Sequence, residues 1–546
     1  MRTRLAFHCV GAALIATMAA CNDNAFLTEV PKDFVGPEQF YRNAADATAA
    51  INSVYAAFIN GTGDGYYGRN FWMLVEYPTE AVTAGRLSGT NERSQPDNYS
   101  VNSTHAYIET VWSSAYTAIN RANAVIDNVP GIPMDATLRS RIVNEAKYLR
   151  ALHYFNLVRL FGGVPIHLTS TTGLDNAGGD RQSADSTYHV IENDLHDALA
   201  LPTKSQYAAA DRGRATAGAA QTLLGKVYLQ RAATVDTGTT LDTKRLADLD
   251  SAEKYLRMVV TNGAYSLVPN YWTLFDFYGG TVVENNNEVI FEIQNVRSPG
   301  LGGRLSSHMA PNATNPYLGA STNGSVGAEY NFWTSYATTD TRRDGTWMPS
   351  WSKNGVAQVW SPTASNATNQ TNYGAHVPFP RKFLDIAMPS VGTEEPNFPI
   401  LRYADVLLML AEVINEKAGP TLEAQGYVNQ VRARASLGAL PATDVVDFQT
   451  FKNAIFRERR WELVLEGHGH FDSVRNWAWA KSRIEPNLVL GRVSANGNRY
   501  PRNNPASPCT GTGAASVCTL TDTYKLYPIP QRAIDVNPRI TQNPGY

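Results

Sequence analysis

Apolar residues recur at helical spacing in many separate segments of this 546-residue chain. In the segment that begins at Ala47, they follow the i, i+3, i+4, i+7 pattern of one helix face. Two such segments match each other, because one begins at Ala220 and the other at Ala252, 32 residues later. Equal spacing of helical segments is typical of stacked helix-turn-helix units of the tetratricopeptide type. The sequence therefore predicts a mostly α fold with stacked helix pairs.

Two loop-rich segments interrupt the helical pattern. Residues 60–103 are rich in Gly, Asn, Ser and Tyr, and residues 263–400 are rich in Asn, Thr, Ser, Gly and Pro, with one predicted strand in "NEVIFEIQNV". Loop-rich segments of this length usually have a function in compact proteins. We expect large loop-rich insertions, little β structure, and a return to helices after residue 400.

The first twenty residues have the pattern of a signal peptide. "MRTR" is a basic start, and "LAFHCVGAALIATMAA" is an apolar stretch too short for a membrane span. Its end, "MAAC", places two small residues before Cys21, as in the processing site of bacterial lipoproteins. We expect residues 1–20 to be removed and Cys21 to become an acylated N-terminus. Ordinary cleavage beside an incidental cysteine is the alternative.

Two cysteines stand close together late in the chain, Cys509 and Cys518 in "CTGTGAASVC". An exported chain can keep such a pair oxidised, and a disulfide there would close a short loop worth about 2–3 kcal/mol. A zinc site would need more cysteine or histidine nearby. We therefore predict a disulfide between Cys509 and Cys518.

The charge balance gives no indication of a nucleic-acid partner. The chain has 47 Lys and Arg residues against 49 Asp and Glu residues, and it contains no polybasic run. Surfaces rich in Tyr, Trp, Asn, Thr and Ser suit uncharged polar ligands such as sugars better than phosphates.

The stretch "EGHGHFDSVRNW" contains four potential metal ligands at alternate positions, Glu466, His468, His470 and Asp472. On a strand the four would share one face, whereas on a helix the two histidines would point about 200° apart. The flanking sequences are helical, over about residues 447–466 and 470–480, and Gly467 is placed to end the first helix. We predict a turn between two helices, with Asp472 favoured near the second helix start, incidental histidines, and no metal or other cofactor.

Signatures of catalysis are thin. The sequence has no H-E-x-x-H, G-x-S-x-G or P-loop motif, and no G-x-G-x-x-G after a strand. Glu76 and Glu80 in "VEYPTEAV" are a conceivable carboxylate pair, but a role within the loop is the preferred interpretation. We predict a protein without catalytic residues. A surface glycoside hydrolase stays open as an alternative, because such enzymes are recognised by the distance between two carboxylates in space.

Aromatic residues give a stronger indication of function. Five of the ten tryptophans lie in the second loop-rich segment, at Trp272, Trp333, Trp347, Trp351 and Trp360. An aromatic ring offers a flat apolar face to a sugar, and neighbouring Asn, Ser and Arg side chains can bond its hydroxyl groups. The alternative is that these rings form small hydrophobic cores which hold the loops together.

Six motifs, which occur in the family's order from about residue 25 to the C-terminus, resemble the SusD/RagB family. They are "EAKYLRALHYFNLVRLFGGVPI", "GRATAGAAQTLLGKVYLQRA", "FPILRYADVLLMLAEVINE", "VNQVRARA", "FRERRWELVLEGHGHFDSVRNW" and "LYPIPQRAIDVNPRITQNPGY". The resemblance implies eight helices in four tetratricopeptide-like pairs and a large loop-rich part that binds ligand. One integrated unit would comprise residues 21–262, 263–400 and 401–546.

The resemblance also implies a function and partners. Such a protein is a lipoprotein on the outer face of the outer membrane that captures a nutrient, usually a glycan and sometimes a peptide. It delivers that ligand to a TonB-dependent transporter barrel of the SusC type. An oligosaccharide is the expected ligand, a peptide is the alternative, and no nucleic acid is expected.

Ligand residues carry over from the family only as regions, because the loops vary between its members. The candidates in the first loop are Tyr66, Tyr67, Arg86, Asn98 and Tyr99, and those in the central loops are Tyr330, Trp333, Trp347 and Trp351. One departure from the family pattern is the extra glycine in "EGHGHFD", which we expect to loosen that turn. The Cys509–Cys518 loop is a second departure.

Overall fold

The structure, a computed structural model, describes residues 40–59, 65–84, 92–234, 243–277, 280–310, 326–348, 350–353, 356–359, 378–385, 387–490, 492–493, 499–500, 509–510 and 517–546. The predicted signal peptide, the predicted lipidation site Cys21 and the ligand candidate Arg86 lie outside these described residues.

Helices form most of the regular structure in the described ranges. They are α1 Ala44–Ala56, α2 Phe71–Glu76, α3 Ser94–Asp97, α4 Ala106–Asn128, α5 Ala136–Phe161, α6 Ala184–Ala198, α7 Ala217–Thr234, α8 Thr243–Thr261, α9 Leu305–Met309, α10 Tyr330–Ser335, α11 Arg343–Thr346, α12 Tyr403–Ala418, α13 Leu422–Arg434, α14 Phe448–Leu463, α15 Gly469–Arg475, α16 Trp477–Leu490 and α17 Gln531–Val536.

Several long helices begin and end at residues that satisfy the free backbone groups of a helix terminus. The Asp135 carboxylate accepts the N–H of Leu138 at 2.8 Å at the start of α5, and the Asp447 carboxylate accepts the N–H of Thr450 at 2.8 Å at the start of α14. α5 ends at Gly162, whose φ of 75° lies in the left-handed region that favours glycine.

Neighbouring helices pack side by side in an array. α4 packs on α5, α5 on α6, α6 on α7, and α7 on α8, while α12 contacts α8, α13 and α14. The two segments with matching spacing are the direct neighbours α7 and α8, and the rings of Tyr228 and Tyr255 stack between them with centroids 6.0 Å apart. Gly225 permits this approach, because a Cβ there would lie 2.6 Å from Cγ of Leu256. The predicted mostly α fold with stacked helix pairs is confirmed.

Strands are short and pair only in twos within the described residues. They are β1 Val82–Ala84, β2 Val289–Ile293, β3 Val326–Ala328, β4 Trp347–Met348, β5 Ser350–Lys353, β6 Val356–Val359, β7 Phe379–Pro380, β8 Phe398–Arg402, β9 Arg492–Val493, β10 Arg499–Tyr500, β11 Cys509–Thr510 and β12 Val517–Cys518. The strand predicted in "NEVIFEIQNV" is β2, which is fully buried and pairs with β8.

A buried ion-pair cluster joins the central segment to α14. Arg402, at the end of β8, is 1% exposed and pairs with Glu288, with Glu462 at 3.1 Å and with Glu466 at 2.6 Å. Lys382 also pairs with Glu466, at 2.8 Å. Buried charges are tolerated only when they are paired in this way, so the cluster fixes how β8, α14 and the following turn meet.

Candidate functional site

The pairing of β1 with β3 brings the two loop-rich segments together. The strands are antiparallel, with Val82 opposite Ala328 and Ala84 opposite Val326. The N–H of Glu329 also donates to the carbonyl of Ala81 at 2.9 Å. The chain therefore leaves β1 at the end where it enters β3. We call β1 and β3, with the helices α3, α9 and α10 beside them, the loop junction.

Each helix of the loop junction is attached to the strand pair. The Asp97 carboxylate, at the end of α3, accepts the N–H of Ala84 at 3.1 Å. α9 contacts β3 and also the π-helical turn Tyr66–Asn70. α10 follows β3 directly, so the ladder positions the half-buried ring of Trp333.

Three half-buried arginines beside the loop junction lie near His308 of α9: Arg69 in the turn Tyr66–Asn70, Arg93 directly before α3 and Arg304 directly before α9. Burial lowers the pKa of His308 well below its usual value, and the positive charges of these arginines lower it further. The Nε2 atom of His308 lies 3.2 Å from the hydroxyl of Tyr77. The imidazole is therefore neutral at pH 7, and guanidinium groups supply the positive charge. Nothing in the sequence places positions 69, 93 and 304 together, so our sequence interpretation missed them.

Three of the predicted ligand rings lie in the core instead of at the surface. Tyr66 and Tyr67 are 0% and 5% exposed, and their hydroxyls accept hydrogen bonds from the Asn156 amide at 2.8 and 2.7 Å. Trp347 is 0% exposed, and its ring meets Phe332 edge to face at 6.3 Å. Rings enclosed by protein have no face to offer a sugar, so these three residues match the alternative in which aromatic residues hold the loops together.

Tyr99 is also buried, while the remaining candidates are placed without a direct indication of their role. The hydroxyl of Tyr99 donates to the carbonyl of Pro78 at 2.8 Å, and its ring belongs to a small apolar cluster with Ala480, Ile484, Leu488 and Leu520. Asn98 is half-buried immediately after α3. Tyr330 is the first residue of α10, and Trp351 lies in β5.

The Arg343 guanidinium lies over the ring of Trp333, 5.5 Å from the ring centre. A cation over an aromatic face holds the ring in one orientation. Among the predicted ligand rings whose side chains the structure describes, only Trp333 is partly exposed, and it lies at the loop junction.

The turn in "EGHGHFDSVRNW" is confirmed as a junction between two helices, although α14 ends at Leu463, before Gly467. The prediction that its histidines are incidental is wrong, because both are buried and bonded. Nδ1 of His468 accepts from Lys226 at 2.9 Å, and Nε2 of His470 lies 3.2 Å from the carbonyl oxygen of Lys525. Burial lowers the pKa of His470 to about 4, so it is neutral at pH 7.

Asp472, in the first turn of α15, forms buried ion pairs with Arg459 and Arg475, both at 2.9 Å. Burial alone would raise the pKa of Asp472, but these two guanidinium groups lower it overall. The described residues contain no group of three or more His, Cys, Asp or Glu side chains arranged to hold a metal ion.

Both carboxylates of the conceivable pair in "VEYPTEAV" have structural partners. Glu76 accepts backbone N–H groups of the turn before α15, and Glu80 pairs with Arg460 at 3.1 Å. Burial raises the pKa of Glu76, against the opposing charge of Arg460. This geometry supports the loop role preferred for both residues.

Cys518 is disulfide-bonded. In the ladder of β11 and β12 it stands opposite Cys509. The link between these two cysteines stays a prediction.

The helices stack side by side, and the β1–β3 pair joins the two loop-rich segments. This architecture is that of a helical-repeat protein whose loop region is built from two separate segments of the chain. Residues 231–546 match the family model described as "SusD family", and residues 36–229 match the model "Starch-binding associating with outer membrane". The first match covers more than half of the chain. The chain therefore belongs to the SusD family.

Similar proteins cover most of the chain. "SusD-like protein P2" of Formosa agariphila is 25% identical over 506 residues, which are 87% of this chain and 92% of that protein. "Starch-binding protein SusD" of Bacteroides thetaiotaomicron is 25% identical over 476 residues, 78% of this chain and 76% of that protein. The crystal structure of a SusD homologue from Bacteroides thetaiotaomicron has a TM-score of 0.77 at 24% identity, covering 93% of this chain and 98% of the other.

The family models also bear on how the chain is divided. Their boundary at residue 230 falls inside α7, so it is not a boundary between structural domains. The division at residues 262 and 400 stays a prediction.

None of the described helices is both long enough and apolar enough to cross a membrane.

Proposed function

We propose that this protein is a non-enzymatic, lipid-anchored outer-membrane protein that captures a glycan at the loop junction and delivers it to a TonB-dependent transporter. The observation that carries the site is the pairing of β1 with β3, which joins the two loop-rich segments beside Trp333. Membership of the SusD family, and the starch-binding description of the model that matches residues 36–229, support a glycan as the ligand.

The chemistry of the loop junction suits an uncharged, hydroxyl-rich ligand. The ring of Trp333 offers an apolar face to the C–H groups of a sugar. Guanidinium groups of Arg69, Arg93 and Arg304 are donors for hydroxyl oxygens, and each presents several N–H groups in a fixed plane. We propose Tyr330, Trp351, Asn98 and Arg86 as further ligand contacts and leave out the candidate rings that are buried.

Trp333→Ala tests this site. We expect glycan arrays followed by isothermal titration calorimetry to identify a neutral oligosaccharide. The variant should bind it about fivefold more weakly or less well still, because truncating an important aromatic contact costs about 1 kcal/mol or more. Trp479→Ala is a matched control, since Trp479 is also half-buried and its ring lies 5.2 Å from the Arg483 guanidinium.

Three outcomes would contradict the proposal. One is that Trp333→Ala binds the glycan as tightly as the parent protein. Another is that only peptides on a parallel array bind, which would make the protein a peptide-binding member of the family. The last is release of shortened oligosaccharides from the bound glycan, measured by chromatography, which would show a hydrolase.

The anchor and the partner require separate tests. Cys21→Ser should abolish incorporation of a labelled fatty acid and release the protein from the outer membrane, because acyl chains would supply the attachment. Mild detergent extraction of the native membrane should recover the parent protein together with a TonB-dependent barrel. Recovery of the protein alone, after the lipid anchor has been verified, would argue against the transporter partner.

We also propose that Cys509 and Cys518 form the disulfide. Peptide mapping without reducing agent should show the two cysteine-containing peptides linked to each other. A link from Cys518 to any other cysteine would refute this pairing.

A further inference from the structure

A cavity of about 560 Å³ lies on the helical part of the molecule. The C-terminal ends of α5 and α7 form one side of it, and α15, α16 and residues 522–526 form another. It reaches solvent at exposed Ala478 and Asp522. We call it the basic cavity. None of the loop-junction residues described above lines it.

Nearly all of the charged side chains that line the basic cavity in the described residues are positive. Asp522 is the one carboxylate among the lining residues that the structure describes. Six lining side chains are cationic: Arg159, Arg245, Lys452, Arg475, Lys481 and Lys525. This excess contrasts with the whole chain, in which acidic residues slightly outnumber basic ones.

Carboxylates pair with five of these six cations. Arg475 pairs with Glu412 at 3.0 Å and with Asp472 at 2.9 Å. Arg245 and Lys452 both pair with Glu416, at 2.6 Å each. Lys525 pairs with Asp522 at 3.1 Å, and Lys481 lies 3.9 Å from Glu485.

Arg159 has no carboxylate partner among the described residues. Its Nη2 donates to the Asn156 amide oxygen at 2.6 Å and its Nε to the carbonyl of Phe155 at 3.2 Å. The guanidinium carbon lies 3.9 Å from the ring centre of Phe155 and 3.7 Å from that of Phe471. Burial lowers the pKa of Arg159 to about 10, and the nearby charge of Arg475 also acts to lower it. Arg159 is still charged at pH 7, and an anion beside it would relieve an unfavourable environment.

The rest of the lining suits a polar ring-sized ligand. The side chains of Gln230 and Asn476 are buried amides, and Tyr188 contributes a phenol. The half-buried ring of Trp477 adds a flat apolar surface, and its Nε1–H has no acceptor among the described residues. Cavities of a few hundred cubic ångströms enclose ligands of the size of a mono- or disaccharide.

We propose that the basic cavity is a second binding site, which takes a small acidic saccharide whose carboxylate or sulfate group pairs with Arg159. Arg159 selects the anion, while the amides and Trp477 contact the sugar body. This site lies apart from the loop junction, so it stands or falls independently of the glycan site proposed there.

Isothermal titration calorimetry with the full mature protein tests the proposal with four probes at equal ionic strength: glucuronate, glucose 6-sulfate, glucose and sodium sulfate. We expect saturable binding of at least one of the two acidic sugars, and none of glucose at the same concentration. The first two probes distinguish a carboxylate ligand from a sulfate ligand. Binding of sodium sulfate alone would overturn the proposal, because it would indicate a site for an inorganic anion without a sugar contact.

Arg159→Gln should weaken binding of the acidic sugar by about tenfold or more, since hydrogen bonds to charged groups contribute about 1.5–3 kcal/mol. Lys481→Gln, at a half-buried lining position with a loose 3.9 Å ion pair, should weaken it severalfold and provides a test if Arg159→Gln does not fold. Arg532→Gln removes a cation that is 76% exposed and does not line the cavity, so this variant should bind the acidic sugar with the affinity of the parent protein.

Trp333→Ala separates this site from the loop junction, and it should bind the acidic sugar as the parent protein does. Equal affinity of the parent and Lys481→Gln proteins, or loss of acidic-sugar binding in Trp333→Ala, would overturn the assignment to the basic cavity.

Discussion

Glu76 accepts a hydrogen bond from the backbone N–H of Gly467 at 2.7 Å, although the two residues are 391 positions apart in the chain. The same carboxylate accepts the N–H groups of Leu465 at 3.1 Å and His468 at 3.0 Å. Leu465 and Gly467 both have positive φ values, of 73° and 78°, so this turn has a conformation that its own sequence favours only in part. A carboxylate at the end of α2 therefore holds the turn that precedes α15.

Removing this carboxylate should destabilise the whole protein. We expect Glu76→Ala to lower the free energy of unfolding by about 3 kcal/mol, because several buried N–H groups lose their acceptor at once. Guanidinium chloride unfolding, followed by circular dichroism, measures the effect. Glu423→Ala removes a carboxylate that is 46% exposed and paired with Arg257, and it should cost less than about 1 kcal/mol. Equal losses in the two variants would refute the role given to Glu76.

Gly469 is closely packed, so the expectation that the extra glycine loosens the turn is wrong. A Cβ at Gly469 would lie 2.7 Å from Cγ2 of Thr79 and 2.9 Å from the carbonyl oxygen of Val75. We expect Gly469→Ala to cost about 2–3 kcal/mol, because the backbone of Val75 would have to move. Gly426→Ala is the control, since nothing lies within 4 Å of its added Cβ and it occupies a helix interior, where alanine is favoured over glycine. Thermal unfolding of the two variants should therefore shift in opposite directions.

Arg402 is the central cation of its cluster, and its loss should be severe. Arg402→Met would remove the positive partner that Glu288, Glu462 and Glu466 share. Breaking a buried ion pair from one side costs about 3–5 kcal/mol, since the remaining charge loses a partner that offset the cost of its burial. Chemical denaturation provides the measurement. Arg532→Met, at a surface ion pair, should change the free energy of unfolding by less than about 1 kcal/mol, and a similar small change for Arg402→Met would contradict the prediction.

Glu394 should make stability depend on pH between about 4.5 and 7. Its carboxyl group accepts the N–H groups of Ser306 and Ser307 at 2.7 and 2.9 Å, and burial raises its pKa from 4.5 to about 7. In that range the folded protein holds a proton that the unfolded chain has released. The contribution of Glu394 is therefore fully present below pH 4.5 and is lost as the pH rises through 7, by on the order of 3 kcal/mol.

Glu394→Gln isolates this effect, because the amide cannot ionise. The free energy of unfolding of the variant minus that of the parent protein should be larger at pH 8 than at pH 5. Urea unfolding at the two pH values measures this difference. Any cost of the amide that does not depend on pH cancels in this comparison. A difference between the two proteins that is the same at pH 5 and pH 8 would show that Glu394 does not carry a raised pKa.

The helices were predictable from the sequence because their signals are local. Periodic apolar residues lie within one helix, and capping residues such as Asp135 and Gly162 are directly adjacent to its ends. The 32-residue spacing also indicated the adjacent pair α7 and α8 correctly. The end of α14 was misplaced by a few residues, since the turn after it is fixed by the distant Glu76.

The candidate site was less predictable, because exposure depends on contacts between distant segments. Tyr66 and Trp347 lie in loop-rich sequence, yet both are enclosed by other parts of the chain. His468 had no visible role until Lys226, 242 positions away, was placed beside it. Arg69, Arg93 and Arg304 are also brought near His308 by contacts between distant segments, so no local pattern indicated them.

The β1–β3 ladder has an evolutionary consequence. Its hydrogen bonds join main-chain groups, and the side chains at its ends, Val82, Ala84, Val326 and Ala328, are small and buried. Substitutions at positions that adjoin the two strands would therefore leave this main-chain pairing in place. For the glycan site proposed above, selection for a different ligand would act on those positions while the ladder is inherited unchanged.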